Sequence, residues 1–274
     1  MTGGDASPPR RVTARDFATR KGRDERLVVV TAYDALFGRL VDEAGVDAVL
    51  VGDSLGNVVA GFDSTLRVTL EQMIYHASAV RRGVVRALLV VDMPWMTYQV
   101  SEERAILNCG RVVQETGAEA LKLEGAGDVV IRAIRGAVQA GIPVMGHLGF
   151  TPQSVLAIGG YRIQGRKADD AARILDEAKR LEDAGVFAIV LELMPAELAA
   201  RVTQSVSVPT IGIGAGPGCD GQVLVLYDLL GLNDRFRPKF LKRYASLADS
   251  VRGAVAQFRD DVRAGAYPGA EHSF

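Results

Sequence analysis

Ala48-Val49-Leu50-Val51-Gly52-Asp53-Ser54-Leu55-Gly56 begins as one kind of sequence and ends as another. The mostly apolar run from Val46 to Val51 reads as a buried strand. Gly52, Asp53 and Ser54 then break it, and strand packing gives no reason for a carboxylate and a hydroxyl there. In an α/β protein, the position at a strand's carboxyl end faces the crevice where ligands bind. The pattern recurs: Val90-Val91-Asp92, Leu121-Lys122-Leu123-Glu124 and Ile189-Val190-Leu191-Glu192 each close an apolar run on a charged side chain. Several strands that finish this way describe one site assembled from separate pieces.

Outward from this stretch, strands alternate with helices. The predicted strands are Leu27 to Ala32, Val46 to Val51, Ala87 to Val91, Ala120 to Leu123, Pro143 to His147, Ala188 to Leu191 and Thr210 to Ile213, with Val223 to Leu226 a candidate eighth. Between them lie helical patterns. One carries Leu36, Phe37, Leu40 and Val41 and stops at Gly45; others run from Thr69 to Gly83, from Ser101 to Gly117, from Asp128 (as N-cap) through Val138, from Ala168 to Ala184 and from Pro195 to Val202. Thr13 to Lys21 reads as a short helix or turn with Thr13 as a candidate N-cap. Asn57 to Arg67 is loop-like, and Leu148 to Lys167 is a long Gly-rich loop of the kind often used as a lid. Ser246 to Arg263 reads as an amphipathic helix with Leu247, Val251, Val255 and Phe258 on one face. About eight βα units in one chain of ordinary length predict a closed (β/α)8 TIM barrel in a single domain, 12–274, with an open doubly wound sheet as the alternative.

Composition narrows the function. With 274 residues, 48% hydrophobic and 24% charged, the chain is an ordinary globular protein. A formal net charge of −1 gives no field to attract nucleic acid or an anionic membrane, and no apolar stretch is long enough to span a bilayer. Cys109 and Cys219 have neither CxxC spacing nor a flanking His pattern, so reduced thiols and a cytoplasmic address are expected. Met1 to Arg11 contain Gly, Ser and Pro without a hydrophobic core, and read as a disordered tail, not a secretory signal.

Asp53, Asp92 and Glu124 would project into the mouth of one barrel. Carboxylates at close quarters repel, and each is driven toward its neutral form. A divalent cation removes that conflict, and hard oxygen ligands without a His/Cys cluster suit Mg2+. The plainer reading of each carboxylate is a helix cap or a surface ion pair; equivalent positions on separate strands favour the site. Lys122 and Glu124 lie two apart on one strand, hence on the same face, toward the axis. Lys122 could neutralise a substrate carboxylate, act as a Schiff-base nucleophile, or form a structural pair with Glu124. Glu192 is a free carboxylate suited to proton transfer, unless it pairs with the long loop. His147 is a further acid/base or an orienting donor, and ranks below Glu192. His76 and His272 are expected to be non-catalytic. Gly212-Ile213-Gly214-Ala215-Gly216 mimics a dinucleotide fingerprint, but Pro217 to Gly221 interrupts where its helix should begin, so the glycines are read as allowing tight turns and close backbone approach.

Several motifs together resemble one family: Thr31-Ala32-Tyr33-Asp34, Val51 to Gly56, Asp92-Met93-Pro94, Lys122-Leu123-Glu124-Gly125, Gly146-His147-Leu148-Gly149 with Thr151-Pro152-Gln153, the Gly159 to Arg166 loop, and Ile211 to Gly221. In order and in register from about Arg11 to the C-terminal helix, they resemble ketopantoate hydroxymethyltransferases. Trp95 departs from the Phe expected after Asp-Met-Pro, which bears on pocket shape. The resemblance implies a Mg2+-dependent barrel acting on 3-methyl-2-oxobutanoate and 5,10-methylenetetrahydrofolate in pantothenate biosynthesis. By motif, Asp53 and Asp92 match metal-binding aspartates and Glu124 a third acidic group near the metal. Asp53, Ser54, Asp92 and Lys122 match contacts to the 2-oxo acid, and Glu192 matches the proton acceptor. The resemblance also implies a homodecamer. Competing readings are a phosphoenolpyruvate mutase or carbon–carbon lyase of the related Mg2+/2-oxo-acid barrels, whose lyases carry a loop cysteine that Leu148 to Lys167 lacks; a Schiff-base aldolase through Lys122; and an inactive barrel serving as a scaffold.

Overall fold

Side chains alternate across a strand, so a strand that is apolar at nearly every position has to be covered on both faces. A closed parallel sheet ringed by helices does this. The structure, a computed structural model, describes residues 10–274. Its strands are β1 (Leu27–Thr31), β2 (Ala48–Val51), β3 (Leu88–Asp92), β4 (Ala120–Glu124), β5 (Val144–Gly149), β6 (Ala188–Glu192), β7 (Thr210–Ile213) and β8 (Gly221–Leu224). They pair in parallel in sequence order and close through β8 onto β1, giving the predicted (β/α)8 TIM barrel and excluding the open sheet.

The helices are α1 (Ala14–Ala18), α2 (Ala35–Glu43), α3 (Leu55–Val58), α4 (Leu70–Arg81), α5 (Glu102–Thr116), α6 (Asp128–Gln139), α7 (Val155–Ile158), α8 (Ala168–Asp183), α9 (Ala196–Ser205), α10 (Leu226–Leu229) and α11 (Leu247–Arg263). Local chemistry sets their ends. Thr69 and Gln72 form a capping box at α4, the Ser101 hydroxyl accepts from the Arg104 amide at α5, and Gly117 ends α5 in the left-handed region, φ 70°. Thr13 caps α1 with Asp16 as its reciprocal partner.

The barrel core is layered. Leu88 and Val90 of β3, Ala120 of β4, Met145 of β5, and Ala188 and Val190 of β6 share one buried cluster, with Phe17 of α1 packed among them. Phe17 meets Phe187 edge to face at a centroid distance of 5.7 Å. The next inward residues along those same strands are Asp92, Lys122, His147 and Glu192. The lower layers are thus apolar and the upper layer is charged.

Several boundaries differ from the sequence reading. The eighth strand is Gly221–Leu224, two residues earlier than predicted, because Leu226 already begins α10 and because Gly221 allows a close approach to β1: a Cβ there would lie 2.5 Å from the Leu27 carbonyl oxygen. No helix separates β7 from β8, so the βα rhythm lapses once; Gly218 packs so closely that a Cβ would sit 2.9 Å from the Ala200 side chain. Asp128 is the first residue of α6, not its cap; Gly127 is the cap residue, and Asp128 pairs with Arg180. The loop from Asn57 to Arg67 holds the end of α3 and a 3-10 turn, Thr65–Arg67. Leu148 to Lys167 includes the end of β5, a 3-10 turn at Pro152–Ser154, and α7.

Residues 1–9 of the predicted tail lie outside the described residues. Of its remainder, Arg11 donates to the Val85 carbonyl and to Glu119, both at 3.0 Å. The barrel-bearing unit ends at Leu224, and Val225–Phe274 is a compact unit of its own. Within the latter, Val251, Val255, Phe258 and Val262 of α11 are exposed. Among the described residues, no helix is long and apolar enough to cross a membrane.

Candidate active site

Strand register builds the site. The β3–β4 pairing sets Asp92 beside Lys122, and the β4–β5 pairing sets Glu124 beside His147. Lys122 Nζ lies 3.0 Å from Asp92 Oδ1 and 3.8 Å from Glu124 Oε1. His147 Nδ1 lies 3.3 Å from Glu124 Oε1, and its Nε2 lies 3.2 Å from Glu192 Oε2. The titratable side chains therefore form a continuous row across the barrel mouth from Asp92 to Glu192, in which Lys122 Nζ also lies 3.3 Å from His147 Nδ1. Along it, the side chains of Asp92, Lys122, Glu124 and His147 are buried, while that of Glu192 is 21% exposed. Glu192 is the member of the row that a ligand reaches first, and its partner is His147 rather than the long loop.

Asp53 arrives differently. Gly52 would be the next inward residue of β2, but a Cβ there would fall 2.8 Å from Ser54 Oγ and 3.4 Å from Asp92 Oδ2. The glycine leaves room for the chain to turn, and the Asp53 amide then donates to Asp92 Oδ2 at 3.0 Å. The Ser54 hydroxyl is 2.9 Å from that of Tyr33. The structure thus brings Asp53, Ser54, Asp92, Lys122, Glu124, His147 and Glu192 to one mouth. His76 lies elsewhere, with Nδ1 2.7 Å from the Tyr33 carbonyl oxygen.

Sequence reasoning gave no role to Gln153, Tyr98 or Tyr161. Gln153 follows Pro152 in the 3-10 turn after β5 and is buried among the carboxylates. Tyr98 is fully buried and donates to Gln153 Oε1 at 2.7 Å. Tyr161, in the Gly-rich loop, stacks on Phe150 with centroids 4.7 Å apart. Partial burial, then the charges of Glu192, Asp53 and Glu124, raise its phenol above the ordinary value.

The electrostatics are those of a crowded acidic centre. Burial, reinforced by Glu124 and Asp92, pushes Asp53 up to about 8. Burial also raises Asp92, against the pull of Lys122. Burial opposes the charge on Glu124 as well, but His147, Lys122 and the Gln153 amide outweigh it and hold that carboxyl below its ordinary value. Burial works against the Lys122 ammonium, yet Asp92, Glu124 and Asp53 raise its pKa. His147 is disfavoured as a cation by burial and by Lys122, but Glu124 and Glu192 prevail and lift it to about 9.

This donor set fits a hard cation. Asp92 Oδ1 and Glu124 Oε1 are buried without a well-formed hydrogen bond, their nearest cations being ion-pair neighbours. Burial beside the anionic Glu124 and Asp92 favours a proton on Asp53 near neutral pH, and a divalent cation would replace that proton. Among the described residues, no three His, Cys, Asp or Glu side chains converge closely enough to hold a metal unaided. A cation here would complete its shell with water and ligand oxygens, as Mg2+ commonly does.

The sequence profile of the ketopantoate hydroxymethyltransferase family matches residues 11–270. The chain belongs to this family. It is accordingly an enzyme, a hydroxymethyltransferase. A relative from Moorella thermoacetica, named 3-methyl-2-oxobutanoate hydroxymethyltransferase, is 54% identical over 264 residues, covering 96% of this chain and 98% of the relative. A relative of the same name from Pelobacter propionicus is 54% identical, covering 97% and 98%. Among solved structures, 2,3-dimethylmalate lyase, described as a phosphoenolpyruvate mutase/isocitrate lyase superfamily member, superposes with a TM-score of 0.60 at 18% identity, covering 95% of this chain and 91% of the other. Phosphonopyruvate hydrolase in complex with oxalate and Mg2+ superposes with a TM-score of 0.59 at 14% identity, covering 95% and 93%. These likenesses are of fold.

Proposed function

We propose that this hydroxymethyltransferase moves a one-carbon unit from 5,10-methylenetetrahydrofolate to 3-methyl-2-oxobutanoate, giving 2-dehydropantoate, with Mg2+ at the barrel mouth. The observation that carries this reading is the row of charges set by register, which ends at an accessible Glu192 beside a buried acidic centre. The names of the family's relatives support the oxo acid as acceptor.

Asp53 and Asp92 would hold the metal, with Glu124 the third acidic group beside it. Mg2+ held there would supply Lewis acidity, which makes the C3 proton of a 2-oxo acid easier to remove. Asp53, Ser54, Asp92 and Lys122 bind and orient the oxo acid. Glu192 accepts the C3 proton, and His147, whose Nε2 lies 3.2 Å away, holds its carboxylate in place. The Lys122 ammonium faces the negative charge that develops as the proton leaves. The resulting carbon nucleophile forms a C–C bond to the methylene carbon presented by the folate; the C–N bonds to that carbon break, water supplies the hydroxyl oxygen, and tetrahydrofolate leaves. A Schiff-base role for Lys122 runs against its raised pKa, since a nucleophilic amine has to lose its proton first.

The test is exchange of the C3 proton of 3-methyl-2-oxobutanoate in D2O, followed by NMR, with Mg2+ and then with a chelator. Exchange that needs Mg2+ is expected. No exchange under either condition, with the folate also present, would overturn the reading. A homodecamer belongs to the same proposal; the exposed Val251, Val255, Phe258 and Val262 stripe of α11 supports assembly. Light scattering reads the mass directly.

A further inference from the structure

Each of the three buried carboxylates has one oxygen tied by a donor. Asp92 Oδ2 accepts from the Asp53 amide at 3.0 Å. Asp53 Oδ2 accepts from Gln153 Nε2 at 3.0 Å. Glu124 Oε2 accepts from the Gln153 backbone N–H at 3.0 Å. One residue therefore supplies two of the three ties, to carboxylates delivered by different strands.

The orientation of the Gln153 amide is determined by what surrounds it. Its Nε2 also donates to the Met93 carbonyl oxygen at 2.9 Å, and a carbonyl can only accept. Its Oε1 accepts from the Tyr98 hydroxyl at 2.7 Å and from Gln99 Nε2 at 3.1 Å. Tyr98 is held in turn, because its hydroxyl accepts from the Glu124 amide at 3.0 Å. Rotating the amide by half a turn would set oxygen against oxygen at Met93 and at Asp53. The N–H that faces Asp53 is thereby fixed in direction before any ligand arrives.

We propose that Gln153 is the positioning residue of the acidic centre: it ties the outer oxygen of Asp53 and of Glu124, so that the remaining oxygens are presented, already aimed, to a divalent cation and the oxo acid. The inference rests on the Mg2+ reading above and extends it to a residue that touches neither the cation nor the reacting atoms. Outer partners of this kind fix the rotamers of metal ligands, and removing one typically weakens metal binding about 10–100-fold.

The experiment is calorimetric titration of Mg2+ into chelator-stripped protein in the presence of 3-methyl-2-oxobutanoate, for wild type, Gln153→Met and Tyr98→Phe. Gln153→Met keeps the length of the side chain and the backbone tie to Glu124 but removes the amide. It is expected to weaken Mg2+ binding about 10–100-fold. The Mg2+ concentration that half-saturates C3 exchange should rise by a similar factor, while the exchange rate at saturating Mg2+ falls much less. A merely structural role would lower stability and rate without this split. Tyr98→Phe releases the amide without opening a large void, and is expected to weaken Mg2+ binding in the same direction by a smaller factor. A folded Gln153→Met that binds Mg2+ as wild type does overturns the proposal. If Gln153→Met fails to fold, Tyr98→Phe decides, and wild-type Mg2+ affinity in that variant overturns it. Failure of the wild-type protein itself to bind Mg2+ overturns both the metal reading and this one.

Discussion

His147 Nε2 lies 3.2 Å from Glu192 Oε2, and the same ring's Nδ1 lies 3.3 Å from Glu124 Oε1. One imidazole thus joins the accessible carboxylate to the buried acidic centre. Replacing Glu192 by Gln keeps its size and removes its basicity. We expect Glu192→Gln to bind Mg2+ and the oxo acid as wild type does, and to exchange the C3 proton about 10²–10⁴-fold more slowly. Wild-type exchange in that variant would remove Glu192 from the role of base.

Asp92 is expected to matter twice. Its removal in Asp92→Ala takes away a candidate metal oxygen and strands the buried Lys122, whose Nζ lies 3.0 Å from it. Breaking a buried pair on one side costs about 3–5 kcal/mol. Urea denaturation should register that loss, and calorimetry should show weaker binding of both Mg2+ and the oxo acid. Unchanged affinity for both would sink the assignment.

The pH dependence of stability has a definite sign. In the folded, metal-free protein Asp53 is raised to about 8 and His147 to about 9. Unfolded, the same groups titrate near about 3.9 and 6.5. Over the intervening range the folded chain holds protons that the unfolded chain has released, so stability falls as pH rises. The contribution of His147 is complete below about 6.5 and lost through about 9; that of Asp53 is lost as pH climbs toward about 8. Mg2+ replaces the Asp53 proton and should stabilise more as pH increases. Scanning calorimetry between neutral and mildly alkaline pH, with Mg2+ and with chelator, measures this directly. A Mg2+-induced shift in Tm that shrinks with rising pH would contradict it.

Gly149 should resist substitution for a reason unrelated to chemistry. Its φ is +93°, and a Cβ would lie 2.1 Å from the Glu192 carbonyl oxygen. Gly149→Ala forces β5 and β6 apart where Glu192 is mounted. The left-handed backbone alone costs about 1–2 kcal/mol, and the clash adds to it. A lower denaturation midpoint together with slower C3 exchange is the expected pair of results; an unchanged midpoint would show that the strands yield more easily than their packing implies.

What the sequence disclosed depended on how local the cause was. An apolar run stopped by Asp53, or one ending Lys-Leu-Glu at 122–124, carries both its strand and its facing residues within a few positions. The partnership of His147 with Glu192 does not, because it depends on the register between β5 and β6. Gln153 and Tyr98 were hidden for a similar reason: each acts from a segment beyond a strand end, and what gives Gln153 its place is the set of acceptors and donors that other strands supply. The shifted start of β8 turned on Gly221, whose close approach to Leu27 is visible only once β1 is beside it. Asp128 looked like a cap by residue type, yet it pairs with an arginine of α8.

Leu193, immediately after Glu192, is a branched residue with φ +49°. It is held there because its amide donates to Ile213 and its carbonyl accepts from Gln164, at 2.9 and 3.0 Å. Leu193→Gly would remove the steric cost of that conformation but enlarge the freedom of the unfolded chain. We expect near-neutral stability and a wider spread of Glu192 orientations, read as a lower exchange rate at full oxo-acid saturation. An exchange rate equal to wild type would show that Leu193 has no part in fixing the carboxylate.

The layering of the barrel has an engineering consequence. From Val90 to Asp92, or from Ala120 to Lys122, is a step of two residues, about 6.6 Å along a strand. Within that step the requirement changes from volume to charge. Leu88, Val90, Ala120, Met145, Ala188 and Val190 form a foundation whose members could be exchanged for others of equal summed volume while the tier above keeps its chemistry. Moving any one of these strands by a single residue would instead turn both tiers out toward the helices together. Tolerance to mutation in this protein should therefore be graded by height in the barrel, and insertions within its strands should be harder to accommodate than substitutions at either level.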